Sequence, residues 1–257
     1  MIYPWLFILF LAFSSSAFAL PNPNCDDAHG ILREAKFSGK ISKDSVAKFI
    51  ETYESCPPSV ISVTSSGGEV EAAMVFGEWI FKNRIDINVP FICMSSCANY
   101  VFPAAKNKTI GPKALVIWHG SALQKNFRDF IEKYERLELA NEDTSFLEAN
   151  AMDYRSLKRV VKAQKEFYER IGVEEAIDRL GQEPVDYEVA GWTTTINVMK
   201  KYGIQHVNAA VNYAEADYLR SLSNLNIMFK GKFMSFGLDS SGNLTPIIPG
   251  TKDEHVN

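Results

Sequence analysis

The sequence predicts an α/β protein built on a parallel sheet, and three observations carry that expectation. Unbroken β-branched runs such as "SVISVTS" read as strands buried on both faces. Between them, apolar residues recur every three or four positions, the period of amphipathic helices. From about residue 33 to 120 the two patterns alternate as strand, helix, strand, helix, strand, the order that right-handed crossovers give a parallel sheet.

Each element follows from its local sequence. Residues 20–30 form a polar arm containing Pro21 and Pro23, and "REAKFSGKI" is a strand ending in a turn at Gly39. Val46, Phe49, Ile50 and Tyr53 share one face of a helix over 43–54, which "CPP" stops. "SVISVTS" is the second strand and "SGG" a turn; Val70, Ala73, Met74, Gly77, Ile80 and Phe81 mark a helix over 69–82. "INVPFIC" reads as a third strand, and a short helix starts near Ser96. Pro103 removes one of its hydrogen bonds and should kink or end it within two turns, with Asn107 as a left-handed cap. "KALVIWHG" is a fourth strand. From about 121 to 180 the chain turns charged and helical, which predicts two or three helices projecting from the core. "GWTTTINVMKKYGIQHV" reads as a Thr-capped helix, a turn at Gly203 and a return strand. Residues 218–257 hold a hairpin turning at Ser241-Gly242-Asn243 and a polar tail.

The bulk properties narrow the class. The chain has 257 residues, 46% of them hydrophobic and 23% charged, and a formal net charge of −4. That balance suits a soluble globular protein and points away from nucleic acid or an anionic membrane surface as partner. The N-terminus differs: an apolar run from Trp5 to Phe13 leads to Ala17-Phe18-Ala19, the pattern of a secretory signal cleaved after residue 19. An uncleaved anchor is the alternative, but the run is short for a spanning helix of about 20 residues. The expected organisation is therefore a signal peptide at 1–19 and one α/β domain over 20–257, exported to the periplasm or the exterior, with no stable membrane span after cleavage. An oxidising compartment lets cysteines pair. Four cysteines allow three connectivities; we favour Cys25–Cys56, a staple of about 3–4 kcal/mol on a loop-entropy argument, and Cys93–Cys97. The four histidines are scattered and no spacing matches a zinc pattern, so neither a metal nor another cofactor is expected.

Three stretches have chemical potential. In "TSSGGEV", two glycines between strand and helix let backbone N–H groups approach a ligand or oxyanion; alternatively the pair is only a turn. In "SSCAN", Ser96 at a helix start faces free N–H groups and the positive end of the helix dipole; alternatively it is only an N-cap. In "VIWHG", His119 ends an apolar strand 23 residues after Ser96, where side chains of an open α/β sheet meet ligands. It is placed to take a serine's proton, or is simply structural.

In order and spacing, these stretches resemble the Clp protease proteolytic subunit and its relatives, the signal peptide peptidase A and crotonase-like superfamily. "FSGKI" is similar to the family's opening strand and turn, and "VTSSGGEVEAAMVFGEWI" to its Ser-Pro-Gly-Gly loop and helix, with Ser66 where proline is usual. "SCANY", "VIWHG" and "KKYGIQHV" resemble the nucleophile, histidine and Tyr-Gly segments. The resemblance spans roughly 33–120 and, more loosely, 190–207. It implies a sheet of ββα units with a helical insertion after the histidine strand. It also implies a serine-type endopeptidase without cofactor, acting on peptides or unfolded protein and forming homo-oligomers. Ser96 matches the nucleophile better than Ser95, because Ala98 supplies the small residue two positions on. His119 matches the base. Gly67 and the N–H of Cys97 match the oxyanion donors, with Gly68 supporting the turn. The family's aspartate should fall near Gly191, where no acid stands; Asp186 is the closest aspartate, and a Ser-His dyad oriented by a carbonyl or water is equally compatible. Cytoplasmic members receive substrate from an ATP-driven partner; an exported chain would act unaided. A non-catalytic member of the fold that binds a peptide or partner protein is the other expectation.

Overall fold

In the computed structural model, residues 33–183, 186–222, 228–230 and 232–247 are described. In chain order the elements are β1 (Glu34–Ser38), α1 (Lys43–Tyr53), β2 (Val60–Thr64), α2 (Val70–Lys82), β3 (Asp86–Val89) and β4 (Ile92–Met94). A π-helical turn (Cys97–Val101) runs into the short α3 (Phe102–Ala104), followed by β5 (Lys108–Ile110) and β6 (Leu115–Ile117). Then come α4 (Lys125–Ala140), α5 (Thr144–Ile171), a 3-10 helix (Glu175–Arg179), β7 (Gly191–Thr194), α6 (Ile196–Lys201), β8 (Val207–Asn208), α7 (Ala216–Arg220), β9 (Phe233–Leu238) and β10 (Leu244–Ile247).

The main sheet has five strands in the order β1-β2-β3-β5-β8, all of them parallel. This is the α/β parallel architecture the sequence predicts. A second layer holds the parallel pair β4–β6, and a third sheet runs β10-β9-β7. Isolated bridges tie the layers together: Ser65 to Cys93 links the end of β2 to β4, and Trp118 to Trp192 links the end of β6 to β7. The core between α1, α2 and the sheet is aromatic, with the Phe37, Phe49 and Phe76 rings 4.9–5.5 Å apart between centroids. Gly77 sets how closely α2 approaches the π-helical turn, because a Cβ there would stand 2.3 Å from the Tyr100 carbonyl oxygen.

Several expectations are corrected by competing physics. "INVPFIC" is two strands in different sheets, because Pro90 has no N–H to continue a ladder and the chain changes layer there. Lys108–Ile110 pairs between β3 and β8, although its polar residues give no strand signal. Trp192–Thr194 belongs to a strand, β7, rather than to a Thr-capped helix, and the Thr195 side chain makes no cap hydrogen bond. The short helix near Ser96 opens as a π-helical turn and ends at Ala104, within the limit set by Pro103. The helical segment after His119 is a hairpin of 16 and 28 residues plus a 3-10 turn. Cys93 and Cys97 form a disulfide; Cys25, half of the expected Cys25–Cys56 pair, lies outside the described residues, as does the expected signal peptide. Among the described residues no helix is long and apolar enough to cross a membrane.

Lys108 is a buried amine that the sequence does not announce. Its Nζ donates to the carbonyls of Ala105 (2.6 Å) and Gln205 (3.0 Å), and burial pulls its pKa down to about 8. A lowered folded-state pKa means the unfolded chain binds more protons between that value and the ordinary lysine range. Stability therefore rises with pH across the window from about 8 to 10. Chemical denaturation from pH 7.5 to 10 should show this rise, and Lys108→Met should flatten it.

Candidate active site

The site is assembled where β2, β4 and β6 end. Beyond β2, Ser65 is pinned by backbone hydrogen bonds to the β4 strand, with Ser65 N to Ile92 O and Met94 N to Ser65 O both 2.9 Å. Its hydroxyl donates to the Gly39 carbonyl at 2.6 Å and accepts the Gly67 N–H at 3.0 Å. The next two residues then pass against the turn that follows β4. A Cβ on Gly67 would lie 2.6 Å from the Met94 carbonyl oxygen, and one on Gly68 would lie 1.9 Å from the Ile41 carbonyl oxygen. Both positions have positive φ, 91° and 155°, so glycine is required here by conformation and by space.

On the other side of this contact, Ser95 adopts a left-handed conformation, φ 59°. Its N–H donates to the Ile117 carbonyl and its carbonyl accepts the Asn99 N–H, both at 2.9 Å. The turn delivers Ser96, only 2% exposed, to the start of the π-helical segment. Ser96 does not cap that helix with its side chain. Its Oγ instead accepts the Gly68 N–H at 2.7 Å. The Cys93–Cys97 disulfide closes the loop that contains Ser96, joining the strand before it to the helix after it with a Cα–Cα distance of 5.2 Å. The N–H of Cys97 sits in the first helical turn, where no earlier helical carbonyl is available to it.

His119 follows β6 by two residues and is exposed at the mouth of a cavity of about 650 Å³ that Ser95, Ser96 and Asn99 also line. Desolvation by the cavity walls holds the imidazole pKa below its ordinary value, against a smaller opposing contribution from its own backbone. The far wall is apolar and comes from the helical hairpin: Phe127 and Phe130 of α4, Leu157 and Val160 of α5, with Val70 at the start of α2. Asp153 and Ser156 give this wall a polar margin.

Beneath the Ser96 turn lies a buried polar network. Asn99 Nδ2 donates to the Gly120 carbonyl at 2.8 Å. Tyr100 donates to Gln164 Oε1 at 2.7 Å, and that oxygen also accepts the Ala122 N–H. The Tyr168 hydroxyl stands 2.7 Å from the Asn99 carbonyl oxygen and 2.6 Å from Asp178 Oδ2. Tyr168 has one proton and the carbonyl can only accept it, so the bond to Asp178 requires a proton from the carboxyl group. Burial pushes the Asp178 pKa well above the carboxylate range, which agrees with a neutral acid at this position.

The sequence-predicted residues thus have different fates. Ser96 and His119 face one cavity, although among the described residues no hydrogen bond joins them. Gly67 does not offer its N–H to the cavity, because Ser65 has taken it; Gly68, expected only to support the turn, aims the donor at Ser96. Asp186 is exposed, and its carboxylate turns back to accept the Glu188 N–H at 2.9 Å, a local Asx-type turn with no bond to His119. Ser95 lines the cavity too, but as the left-handed residue of the turn. Asn99, Gln164, Tyr168, Asp178 and Gln182 escaped the sequence reading; only the burial implied by "SCANY" hinted at the first. Among the described residues no group of three His, Cys, Asp or Glu side chains is placed to hold a metal.

Against solved structures the chain is distantly similar to two serine-peptidase-fold proteins. One is a mutant of the 1510-N membrane-bound stomatin-specific protease, 16% identical, with 74% of this chain and 83% of that chain covered at a TM-score of 0.40. The other is ClpP1 from Listeria monocytogenes, 20% identical, with 69% and 91% covered at a TM-score of 0.37. No protein-family profile matches the chain, and no curated protein matches it in sequence. These likenesses concern the fold alone.

The buried network makes its own prediction. A carboxyl whose folded-state pKa is raised favours folding most below its unfolded pKa, and that contribution is lost as pH rises towards the folded value. Asp178→Asn keeps a donor for Tyr168 and removes this loss, so above pH 5 it should be at least as stable as wild type in urea titrations. Tyr168→Phe orphans the Asn99 carbonyl and should cost about 1–3 kcal/mol.

Proposed function

We propose that the chain is an exported, ATP-independent serine peptidase that hydrolyses peptide bonds through an acyl-enzyme on Ser96. The observation that carries this reading is the 2.7 Å hydrogen bond from the Gly68 N–H to Ser96 Oγ, at the cavity that His119 also lines. A backbone donor preorganised at a hydroxyl is placed for the charge that develops next to that hydroxyl. Ser96 Oγ attacks the substrate carbonyl carbon while His119 takes the hydroxyl proton. The Gly68 N–H passes from Oγ to the new oxyanion, with the Cys97 N–H as second donor. His119 returns the proton to the leaving amine, the C–N bond breaks, and water attacks the acyl-enzyme by the same steps in reverse. Asn99 Oδ1, buried and without a partner, supplies an acceptor in the cavity for a substrate N–H. The apolar wall accepts a hydrophobic side chain. Homo-oligomers formed through the helical hairpin belong to the same proposal.

A second reading is supported by a specific observation: among the described residues, neither Ser96 nor a carboxylate is hydrogen-bonded to His119. A protein that uses the same cavity to bind a peptide or partner without cleaving it needs no such contacts.

Fluorophosphonate labelling separates the two. Catalysis predicts a covalent adduct on Ser96 in wild type and none in Ser96→Ala. It also predicts peptide turnover reduced at least about 10²-fold in His119→Ala, in the range expected when a general base is lost. Because His119 titrates below its ordinary value of 6.5, the acidic limb of kcat/KM should have its midpoint below that pH. An unlabelled Ser96 in folded protein would favour the binding reading.

A further inference from the structure

The side chain that meets the backbone of His119 is an amide, not a carboxylate. Gln182 Nε2 donates to the His119 carbonyl oxygen at 3.3 Å. That carbonyl can only accept, so the nitrogen must face it, and the other end of the amide, Oε1, is left buried without a hydrogen-bond partner. A buried acceptor left unmade costs free energy, and such an atom beside a histidine calls for a donor. The surroundings hold the amide in place. Gly181 lies flat on the buried Trp192 ring, where a Cβ would come within 2.4 Å of a ring carbon. Trp192 is in turn bridged by two 2.8 Å backbone bonds to Trp118, the residue before His119. The Gln182 N–H is fixed to the Arg179 carbonyl at 2.8 Å, and the Tyr187 N–H to the Gly181 carbonyl at 3.1 Å. Gln182 Nε2 also stands 3.2 Å from where a Cβ on Gly120 would be, so the amide packs against the backbone on both sides of the histidine's own peptide.

We infer that Gln182 is the positioning residue for His119: its Nε2 holds the histidine's carbonyl, and its Oε1 receives the second imidazole N–H once the ring has accepted the proton of Ser96. The inference rests on the peptidase reading of the same site. The proton balance is simple. One ring nitrogen takes the serine proton, the other keeps its own and donates it to Gln182 Oε1, and no proton leaves the ring towards the amide. A neutral acceptor orients the imidazolium without neutralising it, so His119 stays a weak base, in line with its lowered pKa. Asn99 makes the parallel contact one residue on, from Nδ2 to the Gly120 carbonyl. Its oxygen is likewise buried without a partner, in a residue that lines the cavity. Of the residues that line the cavity with His119, Asp153 is the charged one, and Glu183 follows Gln182 in the chain. Arg128 and Glu183 pair with each other.

The test is the titration of His119, followed by NMR in wild type, Gln182→Leu and Gln182→Glu of the full chain, beside the rate of fluorophosphonate labelling of Ser96. Gln182→Glu keeps the size and the acceptor oxygen but loses the donor to the His119 carbonyl, so a thermal melt of each variant checks that any loss of labelling is not a failure to fold. The expected result is a His119 pKa raised by about one unit or more in Gln182→Glu, as an adjacent opposite charge produces. Its labelling should persist with the acidic limb moved to higher pH, whereas Gln182→Leu should lower the His119 pKa and slow labelling at least about tenfold. A His119 pKa unchanged in both variants, with labelling intact, would overturn the assignment and leave the peptidase reading standing. A pKa that moves as expected in a protein whose Ser96 is never labelled would keep the positioning role and remove the peptidase reading.

Discussion

The site depends on one close approach between backbones. The Gly67-Gly68 loop lies directly against the Met94-Ser95-Ser96 turn, so close that a Cβ on Gly67 would meet the Met94 carbonyl oxygen and the Ser95 Cβ, and this places the Gly68 N–H on Ser96 Oγ. Everything else in the region serves that contact. Ser65 consumes the Gly67 N–H and clamps the loop to Gly39. The positive φ of Ser95 turns the chain so that Ser96 faces back towards the loop. The disulfide closes the turn from behind. A non-glycine residue with positive φ is uncommon and informative when it precedes a candidate nucleophile. The surrounding hydrogen bonds, Ser95 N–H to Ile117 and Asn99 N–H to Ser95, hold it there.

The layers explain why these pieces meet. β2 ends in the main sheet, but the Ser65–Cys93 bridge carries its line into the second layer. Pro90 makes this possible by breaking what would otherwise be one strand, so that β4 leaves β3 and pairs with β6. The Ser96 turn and the histidine then emerge from adjacent parallel strands and share one end of the layer. The Trp118–Trp192 bridge brings the third sheet onto the same end, and with it the Gly181-Gln182 turn.

The sequence announced the parts of this that period and composition encode. The α/β alternation, the two N-terminal helices, the glycine turn, the position of Ser96 and the helical segment after His119 all follow from spacing. It was silent where tertiary context decides. β5 is too short and polar to read as a strand, and only its neighbours β3 and β8 make it one. The choice between Gly67 and Gly68 as the free donor turns on whether Ser65 folds back, which no pattern reveals. The family resemblance implies an aspartate as third partner for His119, or else a carbonyl or water. The residue that touches its backbone is a glutamine, brought near by a glycine packed on a distant tryptophan. Asp178 reads as an ordinary surface acid in a charged stretch. It is buried because its 3-10 turn lies over Tyr168 and Trp192.

The 28-residue length of α5 has a mechanical meaning. At about 1.5 Å per residue it is a rod of roughly 42 Å. Its middle turns, from Asp153 to Val160, wall the cavity; its C-terminal part, with Gln164 and Tyr168, bonds to the π-helical turn. A straight helix cannot tilt at one end and stay still at the other. Any guest that pushes the wall outward therefore levers on the seat of Ser96, and the same stiffness makes the fit of the guest and the aim of the hydroxyl a single variable.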